Sequence, residues 1–125
     1  MKTNELRIGN WIKLSEEGII RKVTGIDNSG INVYIPKDKK EKWIEIDQFS
    51  HIPLTEEMLL RCGFEYKDNA YIKYIYKKTE GIKIMGYDMN YYFSLNMFKT
   101  IKIKSVHQLQ NMYFILTGEE LEVKL

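Results

Sequence analysis

The chain has 125 residues, 44% hydrophobic and 29% charged, which fits one globular domain or two very small lobes and excludes a disordered chain. A net charge of +2 is too small to imply a nucleic-acid partner by itself, and a single cysteine, Cys62, excludes an internal disulfide. No run of about 18 apolar residues occurs, and residues 1–11 lack the apolar run of a signal peptide, so a cytoplasmic protein with no membrane association is expected.

The first half reads as short strands joined by turns. "LRIGNWIKL" is apolar at Leu6, Ile8, Ile12 and Leu14, and predicts one strand kinked at Gly9 and Asn10. "SEEG" is a turn, "IIRKVTGI" a second strand and "DNSG" a hairpin turn, since Asp, Asn and Gly tolerate positive φ. "INVYI" places Ile31, Val33 and Ile35 on one face until Pro36 ends it. "KDKKEK" predicts a solvated loop. "WIEIDQF" starts a fourth strand with Trp43 opposite Ile44 and Ile46. Four or five strands in such a span predict a small twisted sheet, either open or closed as a barrel.

A short helix is predicted from about Glu56 to Cys62. Thr55 supplies the N-cap, Glu56 and Glu57 favour the positive end of the helix dipole, Leu54 and Leu59 have staple spacing, and Gly63 supplies the stop. "FEY", "AYIKYIYKK", "GIKIMGY", "NYYFSLN" and "FKTIKIK" then predict strands separated by turns at "KDN", "TEG", "YDMN" and "LNM". Alternation puts Ile72, Tyr74 and Tyr76 on one face of their strand, and Tyr71, Lys73 and Ile75 on the other. Ile101 and Ile103 alternate with Lys102 and Lys104, which implies one buried face and one basic, partly wet face.

A last helix begins at Ser105, which has capping-box spacing with Gln108. Val106, Leu109, Met112, Tyr113 and Leu116 form its apolar stripe, Gly118 ends it, and the stripe is expected to lie on the second sheet. The closing "EELEVKL" reads as an edge strand or a frayed end. The order predicts an α+β fold: a small N-terminal β-sheet or barrel-like module over residues 1–53, then an antiparallel sheet flanked by two short helices over residues 54–125. The two modules either stand apart or form one compact domain.

Few residues look like chemistry. His107, at the start of the last helix, suits acid–base work or anion binding, but its bland role is a hydrogen bond that fixes the helix entry. With it, Gln110 and Asn111 make a possible polar site whose partners the sequence does not name. His51 and the lone cysteine give no HExxH or CxxC spacing, so no metal and no cofactor are expected. Cys62 lies at the C-terminal end of its helix, where a structural thiol is expected rather than a nucleophile.

The stronger candidate is the basic, tyrosine-rich stretch of residues 70–104, where seven lysines against two acids leave a local charge of +5. Single strands of nucleic acid are held by aromatic stacking beside cations. Tyr71, Lys73, Tyr74, Lys77, Lys83, Lys102 and Lys104 are the candidate contacts, with Tyr76, Tyr87, Tyr91, Tyr92 and Phe93 as further stacking surfaces. The competing reading is ordinary sheet filler with lysines that guard against aggregation.

"ELRIGNWI", "IPLTEEMLLRCGF" and "VHQLQNMYFILTGEEL" together resemble a family of small uncharacterised proteins common in Bacteroidetes genomes, their phages and their mobile elements. The resemblance implies a phage or mobile-element setting and no substrate or catalytic residue. The expectation is a non-catalytic binding or adaptor protein with a protein partner, or a homo-oligomer. The alternative is single-stranded nucleic-acid binding through residues 70–104. An enzyme using His107 is the third reading.

Overall fold

The computed structural model describes residues 1–15, 18–76, 80–96 and 99–125, with the backbone alone for Tyr76, Glu80, Leu95, Asn96 and Lys99. Glu16 and Glu17 of the first expected turn, Lys77, Lys78 and Thr79, and Met97 and Phe98 lie outside the described residues. The fold is α+β, and the chain divides into two compact units: Met1–Ile52 with Ser105–Met112, and Pro53–Lys104 with Tyr113–Leu125.

The first unit holds strands β1 (Trp11–Leu14), β2 (Ile20–Asp27), β3 (Gly30–Ile35), β4 (Lys40–Glu45) and β5 (Phe49–Ser50). They form one antiparallel sheet in the order β4-β3-β2-β1-β5. The sheet is open: β5 has two residues, paired with β1, and β4 and β5 are the two edges, so no barrel closes among the described residues. Alternation works as expected in β3, where Ile31 and Val33 are fully buried. They join Leu6, Ile12, Leu14, Val23, Ile44 and Phe49 in one apolar core.

Two expectations change here. The predicted strand from Leu6 begins only at Trp11, because Gly9 (φ 101°) turns the chain and Asn10 closes a tight loop on Arg7. The Asn10 amide donates to the Arg7 carbonyl (3.0 Å), and its Oδ1 accepts from the Arg7 amide (2.7 Å). Ile8 is therefore 60% exposed. The lysine-rich loop is also shorter than expected, since Lys40 and Lys42 are already in β4, opposite Ile35 and Val33.

In the second unit, helix α1 (Glu56–Arg61) follows its local signals. Thr55 Oγ1 accepts from the Met58 amide at 3.2 Å, Leu54 and Leu59 are buried, and Gly63 turns the chain at φ 88°. Strands β6 (Glu65–Lys67), β7 (Ala70–Tyr76), β8 (Glu80–Tyr87), β9 (Asn90–Asn96) and β10 (Lys99–Ile103) form an antiparallel meander. Two hairpin turns, at Asp68 and Asn69 and at Asp88 and Met89, put both central residues in the left-handed region, as tight right-twisted hairpins require.

Residues directly opposite across an antiparallel pair share a face. Register therefore collects Tyr71, Ile82, Ile84, Phe93 and Ile103 on one face, all buried. Ile72, Lys83, Tyr74, Met85, Tyr92 and Lys102 collect on the other. Burial, and then Glu56 of α1 beside the hydroxyl, push the Tyr71 pKa up to about 12. The C-terminal stretch is neither strand nor frayed: Leu121 is buried, and the Lys124 amide donates to the Arg61 carbonyl at 2.9 Å.

Helix α2 (Val106–Thr117) starts on its predicted cap, with Ser105 Oγ accepting from the Gln108 amide at 3.3 Å. Val106, Leu109 and Tyr113 are buried, but the stripe does not run its full length, since Leu116 is 46% exposed. The stripe, expected to lie on the second sheet throughout, divides instead: Val106, Leu109 and Met112 group with the first unit, and Tyr113 and Leu116 with the second, where Tyr113 meets Lys73 of β7.

Candidate functional site

The polar group at the start of α2 has definite partners within the first unit. Gln110 is 1% exposed and bonded at both ends of its amide. Its Oε1 accepts from the Trp11 amide (2.9 Å) and its Nε2 donates to the Gly9 carbonyl (3.0 Å). Next to it, Asn111 Oδ1 accepts from Asn10 Nδ2 (2.8 Å), and Asn111 Nδ2 donates to the Glu5 carbonyl (3.2 Å). Asn10 is fully buried, and its main chain also holds β2, through its carbonyl and the Val23 amide at 2.8 Å. Gln110 and Asn111 thus act as backbone surrogates: they satisfy groups that the kink at Gly9 takes out of the sheet ladder.

His107 is 2% exposed, and its Nδ1 lies 3.0 Å from Ser105 Oγ. That hydroxyl oxygen also accepts from the Gln108 amide, and it retains both a lone pair and a proton for Nδ1, so the tautomer of the ring sets which of the two donates. Nε2 is buried, with no hydrogen-bond partner among the described residues. Burial lowers the His107 pKa below the ordinary 6.5; Glu5 pulls it upward and His51 pushes it further down. The ring is a neutral, buried neighbour of the helix cap, and general acid–base work would require solvent or substrate to reach it.

The basic sheet candidates divide between two faces. Tyr74, Lys83 and Lys102 share the outer face of the second sheet, where Lys102 lies opposite Tyr92 and Tyr92 opposite Met85, while Lys83 lies opposite Ile72. Lys104, just past β10, is exposed. Tyr71 and Lys73 are on the other face, because Tyr71 pairs with Ile84 and Lys73 with Ile82. Tyr71 is 7% exposed, and Phe93 is likewise buried. Lys77 lies outside the described residues. One outer-face cation was missed by the residue 70–104 window: Lys67 in β6 lies opposite Ala70, and so on the same side as Ile72 and Tyr74. The hairpin signal at "KDN" was the clue, since a two-residue turn fixes which residues face each other.

Lys73 instead serves the core of its unit. Its Nζ lies 5.9 Å from the centroid of the Tyr113 ring, and a side chain at Gly63 would collide with it. Its charge lowers the pKa of the nearby Cys62 thiol, but burial outweighs it and pushes that pKa up to about 11. At neutral pH, Cys62 is a fully buried thiol rather than a thiolate nucleophile. Among the described residues, no group of three or more His, Cys, Asp or Glu side chains is placed to hold a metal ion, and no helix is long and apolar enough to cross a membrane.

No family model, no curated protein and no solved structure matches this chain.

Two measurements check the roles assigned to the helix start. Gln110→Leu leaves the Trp11 amide and the Gly9 carbonyl without partners and should destabilise the chain by about 1–3 kcal/mol for each group in urea unfolding. Asn111→Ala, at a half-buried position, should cost less. His107 binds its proton less readily when folded than when unfolded, so its contribution to stability is intact above pH 6.5 and is lost as the pH falls below it. The unfolding midpoint should therefore drop as pH is lowered through this range, and His107→Asn should flatten that dependence.

Proposed function

We propose that this is a small cytoplasmic, non-catalytic binding protein of phage or mobile-element type that acts through a protein partner. The observation that carries this reading is the exposed end of α2. Phe114, Ile115 and Leu116 are consecutive and 38%, 80% and 46% exposed. Large apolar side chains grouped on a helix end cost solvation free energy in water and are a common anchor for association, where a few buried residues supply most of the affinity. The resemblance to small proteins of Bacteroidetes phages and mobile elements supports the setting.

Ile115→Lys is the direct test. It should leave the melting temperature of this exposed site nearly unchanged, within about 0.5 kcal/mol, and should abolish retention of one specific host or phage protein, confirmed with that protein purified. Light scattering across a concentration series separates self-association from a distinct partner. Equal retention by wild type and variant would remove the helix end from the interface.

A second reading, single-stranded nucleic-acid binding, is favoured by the outer face of the second sheet, where Lys67, Lys83 and Lys102 accompany the half-buried Tyr74 and Tyr92. Three phosphate contacts predict a slope of about −2 in log K against log salt. In fluorescence anisotropy with an oligonucleotide, Lys83→Glu with Lys102→Glu should eliminate the signal. No binding at low salt would exclude this reading.

A further inference from the structure

The inward-facing side of β8 carries Ile82, Ile84 and then Gly86. The first two are buried core residues. At Gly86 the row loses its side chain, and glycine inside a strand often marks a place where something approaches the backbone closely. A Cβ there would lie 3.4 Å from the Tyr91 ring and 3.7 Å from the Tyr71 ring, so the two rings flank the space that the glycine vacates. Their centroids are 6.0 Å apart and their planes are inclined at 73°. Tyr66 backs Tyr71 at 4.9 Å.

The result is a hollow of about 280 Å³, with Tyr71 and Tyr91 as walls and the β8–β9 turn as its rim. That rim supplies Tyr87, Asp88 and Met89. Tyr87 and Met89 are 77% and 94% exposed. Asp88 and Met89 hold positive φ angles of 50° and 63° without being glycine, and the Asn90 side chain donates to the Asp88 carbonyl at 3.1 Å. The lining residues include one carboxylate and no lysine or arginine.

We infer that this hollow binds an alkylammonium cation, between the faces of Tyr71 and Tyr91 and beside the Asp88 carboxylate. The physical basis is the aromatic quadrupole. A tyrosine face is electron-rich, several faces meeting at an angle surround a cation, and a nearby carboxylate adds a Coulomb attraction that a neutral ligand does not gain. Methyl groups on the nitrogen suit the site further, because they weaken hydration of the ion and fill the apolar space over Gly86. None of the residues lining the hollow belongs to the exposed apolar end of α2, and the inference does not depend on that reading.

The test is an NMR titration of the intact chain, following the tyrosine ring and Met89 methyl signals. Tetramethylammonium should shift the Tyr71, Tyr91 and Met89 signals saturably, and its neutral isostere tert-butanol should not. Asp88→Asn and Tyr87→Ala, both at exposed positions, should each weaken binding roughly 2- to 30-fold; Gly86→Val should abolish it. A peptide carrying trimethyllysine that binds more tightly than tetramethylammonium identifies a protein side chain as the source; equal affinity identifies a free small cation. Absence of saturable shifts with tetramethylammonium, or equal shifts with the neutral alcohol, would overturn the inference, and the exposed-site variants keep it testable if Gly86→Val does not fold.

Discussion

The amide of Gln110 is the interaction on which the first unit depends. The chain at Gly9 and Asn10 leaves regular geometry, and the Gly9 carbonyl and the Trp11 amide find their partners on a side chain rather than on a neighbouring strand. One side chain satisfies both the Gly9 carbonyl and the Trp11 amide, and the Asn10–Asn111 pair beside it repeats the device between two side chains. Strand β1 begins where this clamp ends. An apolar residue at position 110 would bury as well, but it would not fix the helix against one particular turn of backbone. Hydrogen bonds in a buried place contribute specificity because the alternative arrangements leave donors and acceptors unmet.

Local signals were legible and distant partners were not. Thr55, Ser105, Gly63 and Gly118 mark the helix ends through interactions that span only a few residues, and the structure places the ends there. Alternation in β3 likewise follows from the two-residue period of a strand, whereas in β10 Ile103 is buried but Ile101 is exposed, and in β7 the register shifts between Tyr74 and Tyr76 and Ile75 is exposed. The partners of Gln110 and Asn111 lie about a hundred positions away, where no spacing rule reaches. The same limit explains the helix stripe. Its periodicity showed an apolar side, but not that its first part would group with the first unit, where Gln110 and Asn111 are bonded, and its last part with the second.

The basic sheet illustrates a different gap. Parity alone separates Lys73 from Lys102 only once the register of four strands is known, and a lysine on the inward side reads the same as one on the outward side. Structure gives the two sides distinct characters. The outer one mixes exposed cations with half-buried tyrosines, as suits a polyanion. The inner one has its cation committed beside Tyr113 and ends in a tyrosine-walled hollow with an aspartate at its rim, as suits the opposite charge. Counting tyrosines and lysines over residues 70–104 merges these two environments into one.

The Gln110 clamp also bears on the order of events during synthesis. The side chain that satisfies Gly9 and Trp11 is added about a hundred residues after them, roughly 5–20 s later at ordinary elongation rates. During that interval the nascent first sheet exposes a carbonyl, an amide and a buried-in-waiting Asn10 to water or to chaperones. The first unit is thus closed by residues made after every strand of the second sheet. Its closure must carry the entropic cost of a long loop, which slows the final step more than it weakens the finished fold.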